Sequence, residues 1–232
     1  MEILIAGALG LIIGEVLRRR LNRLAYRLVP NGSLTSGNVE TTTVDDVDET
    51  ALPSPGVRWW IPVVLAVAWA CVGWRCPIDF VRAWPDVAAW ALLLGWLAFS
   101  GIGLGMSVID LDVRRLPDQG QIMLAVVSIV FGVLICWQAP MRLLMGLGCG
   151  LACGLVFLVM HAISRGSLGL GDVKLVMTCG WWLALISLAT VFAALMISCV
   201  LAVAYSLLSR QRQFAFGPWL VAGTVIAGLY IH

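Results

Sequence analysis

Two aspartates, Asp110 and Asp172, stand at the ends of long apolar stretches of the 232-residue sequence. Asp110 ends one stretch, Asp172 opens another, and two further apolar stretches lie between them. If these stretches are membrane-crossing helices, the chain returns to the face that it left, and both carboxylates lie on that face. Two carboxylates brought close share a proton, because like charges a few ångström apart cannot both ionise. Such a pair could hydrolyse a peptide bond, since one carboxylate accepts a proton from water and the other protonates the amide oxygen.

A glycine-rich stretch precedes Asp172 and favours this interpretation. Gly166, Gly169 and Gly171 leave the chain without side chains just ahead of a helix. Such a stretch permits unusual backbone angles and the close approach of an extended substrate. The alternative is a flexible loop in which Asp172 is an ordinary charge at a helix N-terminus. The residues by themselves leave both interpretations open.

Three further polar residues lie near the same helix ends. Asp118 follows Pro117, and both residue types are common in the first turn of a helix, so a helix start is expected there, with substrate binding as the alternative. Asp112 stands beside two arginines, a pattern that indicates a solvated charge cluster. His161 lies near the inner end of a predicted helix, and an isolated histidine there indicates a structural role.

The composition determines the environment in which these residues act. Hydrophobic residues make up 61% of the chain and charged residues 12%, and the mean hydropathy is +0.96. Soluble domains are about half apolar and about one-quarter charged, which excludes a soluble globular, disordered or nucleic-acid-binding protein. Since lipid requires every backbone polar group to be bonded internally, the composition predicts an all-α, polytopic membrane protein.

The apolar runs predict about eight transmembrane helices. The sixth run is too long for one ordinary span of about 20 residues, so we expect it to divide near Trp182–Ser187 into two short helices. The runs cover residues 3–17, 59–74, 87–109, 121–138, 141–163, 173–209 and 214–231.

The distribution of cations predicts the orientation. With the N-terminus outside, 12 of the 15 Lys and Arg residues fall on the inner side, as the positive-inside rule requires. Asp110 and Asp172 then lie at the cytoplasmic face. We divide the chain into an anchor helix with a basic exit (1–30), a polar, flexible cytoplasmic loop (31–57) and a membrane-embedded core (58–232).

The seven cysteines do not indicate a metal site. Cys149 and Cys153 share a helix face, but no His, Asp or Glu lies near them in the sequence, so packing is the expected role. Cys71 and Cys76 could pair near an outer helix end. We therefore expect no metal and no cofactor.

Several motifs together resemble one family. They are Asp110-x-Asp112 followed by Leu116-Pro117-Asp118, Gly169-Leu170-Gly171-Asp172-x-Lys174, Arg58-Trp-Trp-Ile-Pro-Val-Val, Phe216-Gly217-Pro218 and, more loosely, Gly14-Glu-Val-Leu with Asn22-Arg-Leu-Ala-Tyr-Arg-Leu-Val-Pro. This combination resembles the type IV prepilin peptidases, the GxGD class of intramembrane aspartyl proteases. The resemblance covers residues 58–232 well and the first thirty residues weakly.

The resemblance implies a specific activity. Asp110 and Asp172 would form the catalytic dyad of an endopeptidase that cleaves the positively charged leader of prepilins or pseudopilins. The implied site lies at the cytoplasmic face of a bacterial plasma membrane, and the implied partners are that substrate and the bilayer, without nucleic acid. The motif and substrate-binding residues would be Asp112, Asp118, Gly169, Gly171 and Lys174.

The chain departs from the family in one loop. Bifunctional members carry two Cys-x-x-Cys pairs in the first cytoplasmic loop, associated with metal binding and with N-methylation of the new terminus. Residues 31–57 contain neither cysteine nor histidine, so a tetrahedral zinc site cannot form within this loop. The resemblance thus implies a peptidase with reduced or absent N-methyltransferase activity.

Two other functions are compatible with buried carboxylates. A proton-coupled transporter could use the same aspartates as a relay, since acids at membrane depth often mark such pathways. No repeat in two matching halves is visible to support a transporter. A catalytically inactive member that only recruits pilin subunits is the third hypothesis.

Overall fold

The computed structural model describes residues 2–27, 56, 58–75, 86–164, 168–209 and 215–230. Within these ranges the chain forms eight α-helices and no β-strand, which confirms the all-α prediction. The helices are α1 Glu2–Asn22, α2 Trp60–Arg75, α3 Asp86–Val113, α4 Asp118–Ile135, α5 Pro140–Ile163, α6 Leu170–Ala184, α7 Leu188–Ser209 and α8 Gly217–Tyr230. The loop predicted at 31–57 lies outside the described residues, apart from Gly56.

Four of the described helices, α3, α4, α5 and α7, are long and apolar enough to cross a membrane. Helices α2 and α8 are also apolar but shorter. Together they make the chain a polytopic membrane protein, as the composition predicts.

The predicted division of the long apolar run is confirmed. Helix α6 ends at Ala184 and α7 begins at Leu188. The Ser187 Oγ accepts a hydrogen bond from the Ala189 N–H at 3.2 Å, and the Thr190 hydroxyl donates to the Ser187 carbonyl at 2.6 Å. A serine before the first helical residue satisfies an N–H that the helix leaves unpaired. This short polar turn explains why the run is not one helix.

Glycines allow several helix pairs to approach closely. A Cβ placed on Gly14 of α1 would lie 2.5 Å from the Cα of Pro62 in α2. On α5, a Cβ at Gly150 would lie 2.9 Å from the carbonyl oxygen of Met177 in α6. Small residues at such contacts let backbones pack tightly where lipid offers no hydrophobic driving force.

Cys149 and Cys153, also on α5, are free thiols packed against the core, which confirms the packing role. The Cys71–Cys76 pair lies outside the described residues because Cys76 does.

An aromatic cluster joins α3 to α6. The rings of Trp96 and Trp182 meet edge to face with centroids 5.6 Å apart, and Phe99 stacks on Trp182 at 5.9 Å. Asp110 lies 14 residues after Trp96 and Asp172 lies 10 residues before Trp182. At about 1.5 Å per residue, both aspartates therefore lie roughly 15–20 Å from the cluster along antiparallel helices. The two carboxylates thus reach the same end of the bundle.

Candidate active site

Asp110 lies in the last turn of α3, with only 5% of its surface exposed. Its carboxylate faces Gly217, the first residue of α8, and a Cβ at that glycine would lie 2.7 Å from Asp110 Oδ2. The backbone amide of Gly217 interacts with this carboxylate. Among the described residues, Asp110 Oδ2 has no hydrogen-bond partner. The glycine of the Phe-Gly-Pro motif therefore provides the space that this buried carboxylate needs.

Asp172 lies in the first turn of α6, and its carboxylate interacts with the backbone amide of Gly169. The charges of Asp110 and Asp172 act on each other. Leu116 lies between the segments that hold them. Its side chain is 3.1 Å from the Cβ position of Gly171 and 3.3 Å from that of Gly217. The structure therefore brings the two predicted aspartates together around Leu116.

Two helix N-termini meet at this site. Helix α6 begins just before Asp172, and α8 begins where it faces Asp110. The first N–H groups of a helix have no partner within it and carry a partial positive charge. Such termini favour negative charge on one carboxylate of the pair, while mutual repulsion favours a proton on the other.

The glycines ahead of α6 provide space rather than unusual backbone angles. Gly169 has φ −66° and ψ 141°, an extended conformation open to any residue, so the conformational freedom that glycine permits is not used at this position. At Gly171, in contrast, a Cβ would lie 3.1 Å from Gln121 Nε2 and equally close to Leu116. Gly171 thus permits close packing beside Asp172, and Gly166 lies outside the described residues.

The solvated charge cluster expected at Asp112 is wrong. The Asp112 side chain is only 9% exposed and accepts hydrogen bonds from the Tyr26 hydroxyl at 2.5 Å and from Arg27 Nη2 at 2.9 Å. Arg58 Nη2 lies 3.4 Å from the same carboxylate. The turn after α1 and the entry to α2 fold over the end of α3 and supply these partners. Asp112 therefore ties three segments together.

Tyr26 is central to this network. Its hydroxyl donates to Asp112 and accepts a hydrogen bond of 2.7 Å from Arg58 Nη2. Burial, reinforced by the hydrogen bond to Asp112, raises the pKa of Tyr26 above its ordinary value. The phenol therefore stays protonated and keeps its role as a donor.

Asp118 and Lys174 form an exposed ion pair. Asp118 is the first residue of α4, which confirms the predicted helix start. Its carboxylate accepts a hydrogen bond of 2.6 Å from Lys174 Nζ, and the two side chains are 74% and 58% exposed. The pair joins the first turn of α4 to the second turn of α6. The structure thus brings two predicted motif residues together at the rim of the site.

His161 has a structural contact, as predicted. Its Nδ1 donates to the carbonyl of Leu168, the residue before Gly169. This bond ties the end of α5 to the segment that leads into α6.

Within the described ranges, no group of three or more His, Cys, Asp or Glu residues could hold a metal ion.

Gln121 lies beside the site but was not predicted from the sequence as a site residue. This residue lies in the first turn of α4, is 6% exposed, and reaches toward Gly171. The one available signal is a polar residue at the first position of the apolar run 121–138. That position is also the usual place for a polar helix end, so the pattern alone did not distinguish it.

The comparison with protein families identifies the central part of the chain. Residues 97–207 match the sequence model of the type IV leader peptidase family. The matched region contains Asp110, Asp172 and their flanking motifs, and it ends before Gly217. No curated protein and no solved structure matches the chain. The central part of the chain, slightly less than half of it, is therefore similar to the type IV leader peptidase family.

Proposed function

We propose that this protein is an aspartic endopeptidase that removes the positively charged leader of type IV prepilins or pseudopilins. The observation that carries the proposal is that Asp110 and Asp172 lie close together within the region that matches the family. Each of the two carboxylates lies at the N-terminus of a helix. The two aspartates are 62 positions apart in the sequence and belong to different helices. Packing of α3, α6 and α8 makes them one site.

In this proposal the two carboxylates share acid and base catalysis. The ionised carboxylate takes a proton from water, and the water oxygen forms a bond to the scissile carbonyl carbon. The protonated carboxylate gives its proton to the carbonyl oxygen, which yields a neutral tetrahedral diol. A proton then passes to the amide nitrogen, the C–N bond breaks, and the new carboxyl and amino termini separate.

The surroundings of the dyad suit a peptide substrate. Gly171 and Gly217 have no side chains, so only their backbone atoms lie on either side of Leu116. A glycine at the cleaved bond would let the substrate strand approach equally closely. The exposed pair of Asp118 and Lys174 lies at the rim, and we assign both to contact with the leader. Asp112 acts through its network by holding the end of α3, and hence Asp110, in place.

We place the site at the cytoplasmic face of a bacterial plasma membrane. The support is the concentration of Lys and Arg on the inner side. Within the site itself, a basic leader would meet the carboxylates of Asp110 and Asp172, whose charge is complementary to its own.

Co-expression with a candidate prepilin tests the proposal. Wild type is compared with Asp110→Asn and Asp172→Asn, and leader removal is followed by the shift in pilin mass. Both variants are expected to leave the prepilin uncleaved. Glu15→Gln is the matched control, because the Glu15 carboxylate pairs with Arg18 and Arg19 at the end of α1. Cleavage by either dyad variant at the wild-type rate would refute the assignment.

Mass spectrometry of the same mature pilin tests the prediction for loop 31–57. An unmethylated N-terminus is expected when this protein is the sole enzyme. An N-methyl group there would show that the loop does not need cysteine ligands for methyl transfer.

A further inference from the structure

Gln121 is a buried polar side chain that has no hydrogen-bond partner among the described residues. Only 6% of its surface is exposed, and neither Nε2 nor Oε1 has a hydrogen-bond partner among the described residues. Burying an amide without hydrogen bonds is unfavourable in proteins, because the group loses its bonds to water. A side chain in this state is expected where a ligand supplies the missing bonds.

The position of Gln121 indicates which ligand that is. Its Nε2 lies 3.1 Å from the Cβ position of Gly171, the residue immediately before Asp172. Leu116 packs against the same glycine and, on its other side, against Gly217 beside Asp110. Asp110 Oδ2 is likewise without a hydrogen-bond partner in the described part of the chain. Unpartnered polar atoms therefore lie on both sides of Leu116.

The chemistry of the carboxamide matches a peptide group. Gln121 offers donors on Nε2 and an acceptor on Oε1. A peptide bond presents the complementary acceptor and donor. A carboxylate or a cation would satisfy only one of the two atoms, whereas a substrate backbone satisfies both.

We propose that Gln121 binds the substrate backbone next to the scissile bond and positions it against Asp110 and Asp172. This inference rests on the proposed endopeptidase function. Gln121 transfers no proton, so its contribution is to substrate binding and orientation. Its amide has no partner within the described ranges, and in the proposed complex the substrate backbone pairs with it.

The proposal makes opposite predictions for stability and activity. Gln121→Met keeps an unbranched side chain of similar length and removes both polar atoms. The melting temperature of the purified protein is expected to stay equal or to rise, because an unpaired buried amide is lost. The kcat/KM for prepilin cleavage is expected to fall roughly 10–100-fold, which corresponds to two lost hydrogen bonds.

Gln119→Met is the matched control. Gln119 lies on the same turn of α4 but is exposed. Its substitution is expected to leave both the melting temperature and kcat/KM unchanged. Wild-type cleavage by Gln121→Met would overturn the proposal, and so would a melting temperature several degrees below wild type, because the carboxamide would then be structural.

A binding measurement separates this proposal from the proposed function. A fluorescent peptide spanning the leader junction is titrated into Asp172→Asn and into Asp172→Asn/Gln121→Met. Weaker binding to the double variant, by the same roughly 10–100-fold, is expected, and equal binding would overturn the role of Gln121. Failure of the proposed function has a different signature, since Asp172→Asn itself would then cleave.

Discussion

Asp110 and Asp112 stand two residues apart at the end of α3 and have opposite surroundings. Asp112 has a full set of partners in Tyr26, Arg27 and Arg58. Asp110 is equally buried, but its Oδ2 has no hydrogen-bond partner within the described ranges, and its charged neighbour is another carboxylate. The last turn of one helix therefore holds one acid with several charged and polar partners and one acid with an unpaired oxygen in the described part of the chain.

The difference separates structural from chemical roles. An acid paired with two arginines remains ionised because their positive charges stabilise its carboxylate. It also links the segments that supply those arginines. An acid that faces another acid in a confined space is poised to exchange a proton. The composition of the two environments, rather than burial itself, distinguishes these roles.

Asp110→Asn should have the largest effect and should act on activity alone. Loss of one member of an acid–base pair is expected to reduce cleavage by about 10²–10⁴-fold. The melting temperature should stay unchanged or rise, because repulsion from Asp172 is removed. Thermal unfolding and initial cleavage rates on the same preparation check both statements. A large loss of stability would show that Asp110, like Asp112, has a structural role.

Gly217→Ala should have the next largest effect on cleavage. The added Cβ would lie 2.7 Å from Asp110 Oδ2, so the carboxylate must move, and a displacement near 1 Å reduces catalysis by roughly 10²-fold. Gly148→Ala, in α5, is the control, because a Cβ there would have no neighbouring atom within 4 Å. Steady-state rates should fall for the first variant and remain near wild type for the second. Equal rates for both would contradict the assigned geometry.

Asp112→Asn should reverse the pattern seen at Asp110. The arginines would lose their charged partner, and we expect a loss of about 2 kcal/mol in the free energy of unfolding. This is less than for a fully enclosed pair, since the network lies at the end of a helix. Denaturant unfolding measures the change, and activity per folded molecule should fall less than for Asp110→Asn. A stable but inactive Asp112→Asn would assign Asp112 to the reaction itself.

Lys174→Met should have the smallest effect on stability. The ion pair with Asp118 is exposed and screened by salt, and such pairs contribute little. The melting temperature should therefore not change measurably, whereas the KM for a basic leader should change if this pair contacts it. An unchanged KM would exclude Lys174 from substrate binding.

Much of the architecture could be predicted from residue types alone. Apolar runs of near-membrane length predict helices, because a backbone in lipid must bond to itself. The break at Ser187 was predictable because 37 residues are too many for one ordinary span. The positions of Asp110 and Asp172 at helix ends on one face followed from counting the spans between them.

The partners of each side chain could not be predicted in the same way. Asp112 stands beside Arg114 and Arg115 in the sequence, yet its partners Arg27 and Arg58 are 85 and 54 positions away. Gln121 and Gly171 come from different helices, and their contact depends on how closely α4 and α6 pack. The conformation of Gly169 is one that any residue can adopt, although glycine would permit others.

The sequence by itself therefore determined the membrane environment, the helices and the two carboxylates available for chemistry, since each depends on local composition and spacing. Only the tertiary structure decided that Asp112 is paired with Tyr26, Arg27 and Arg58, that Asp110 Oδ2 has no hydrogen-bond partner among the described residues, and that Gln121 lies against Gly171. Those properties arise from contacts between helices distant in the chain, and a contact between distant segments leaves no mark in the local pattern of residues.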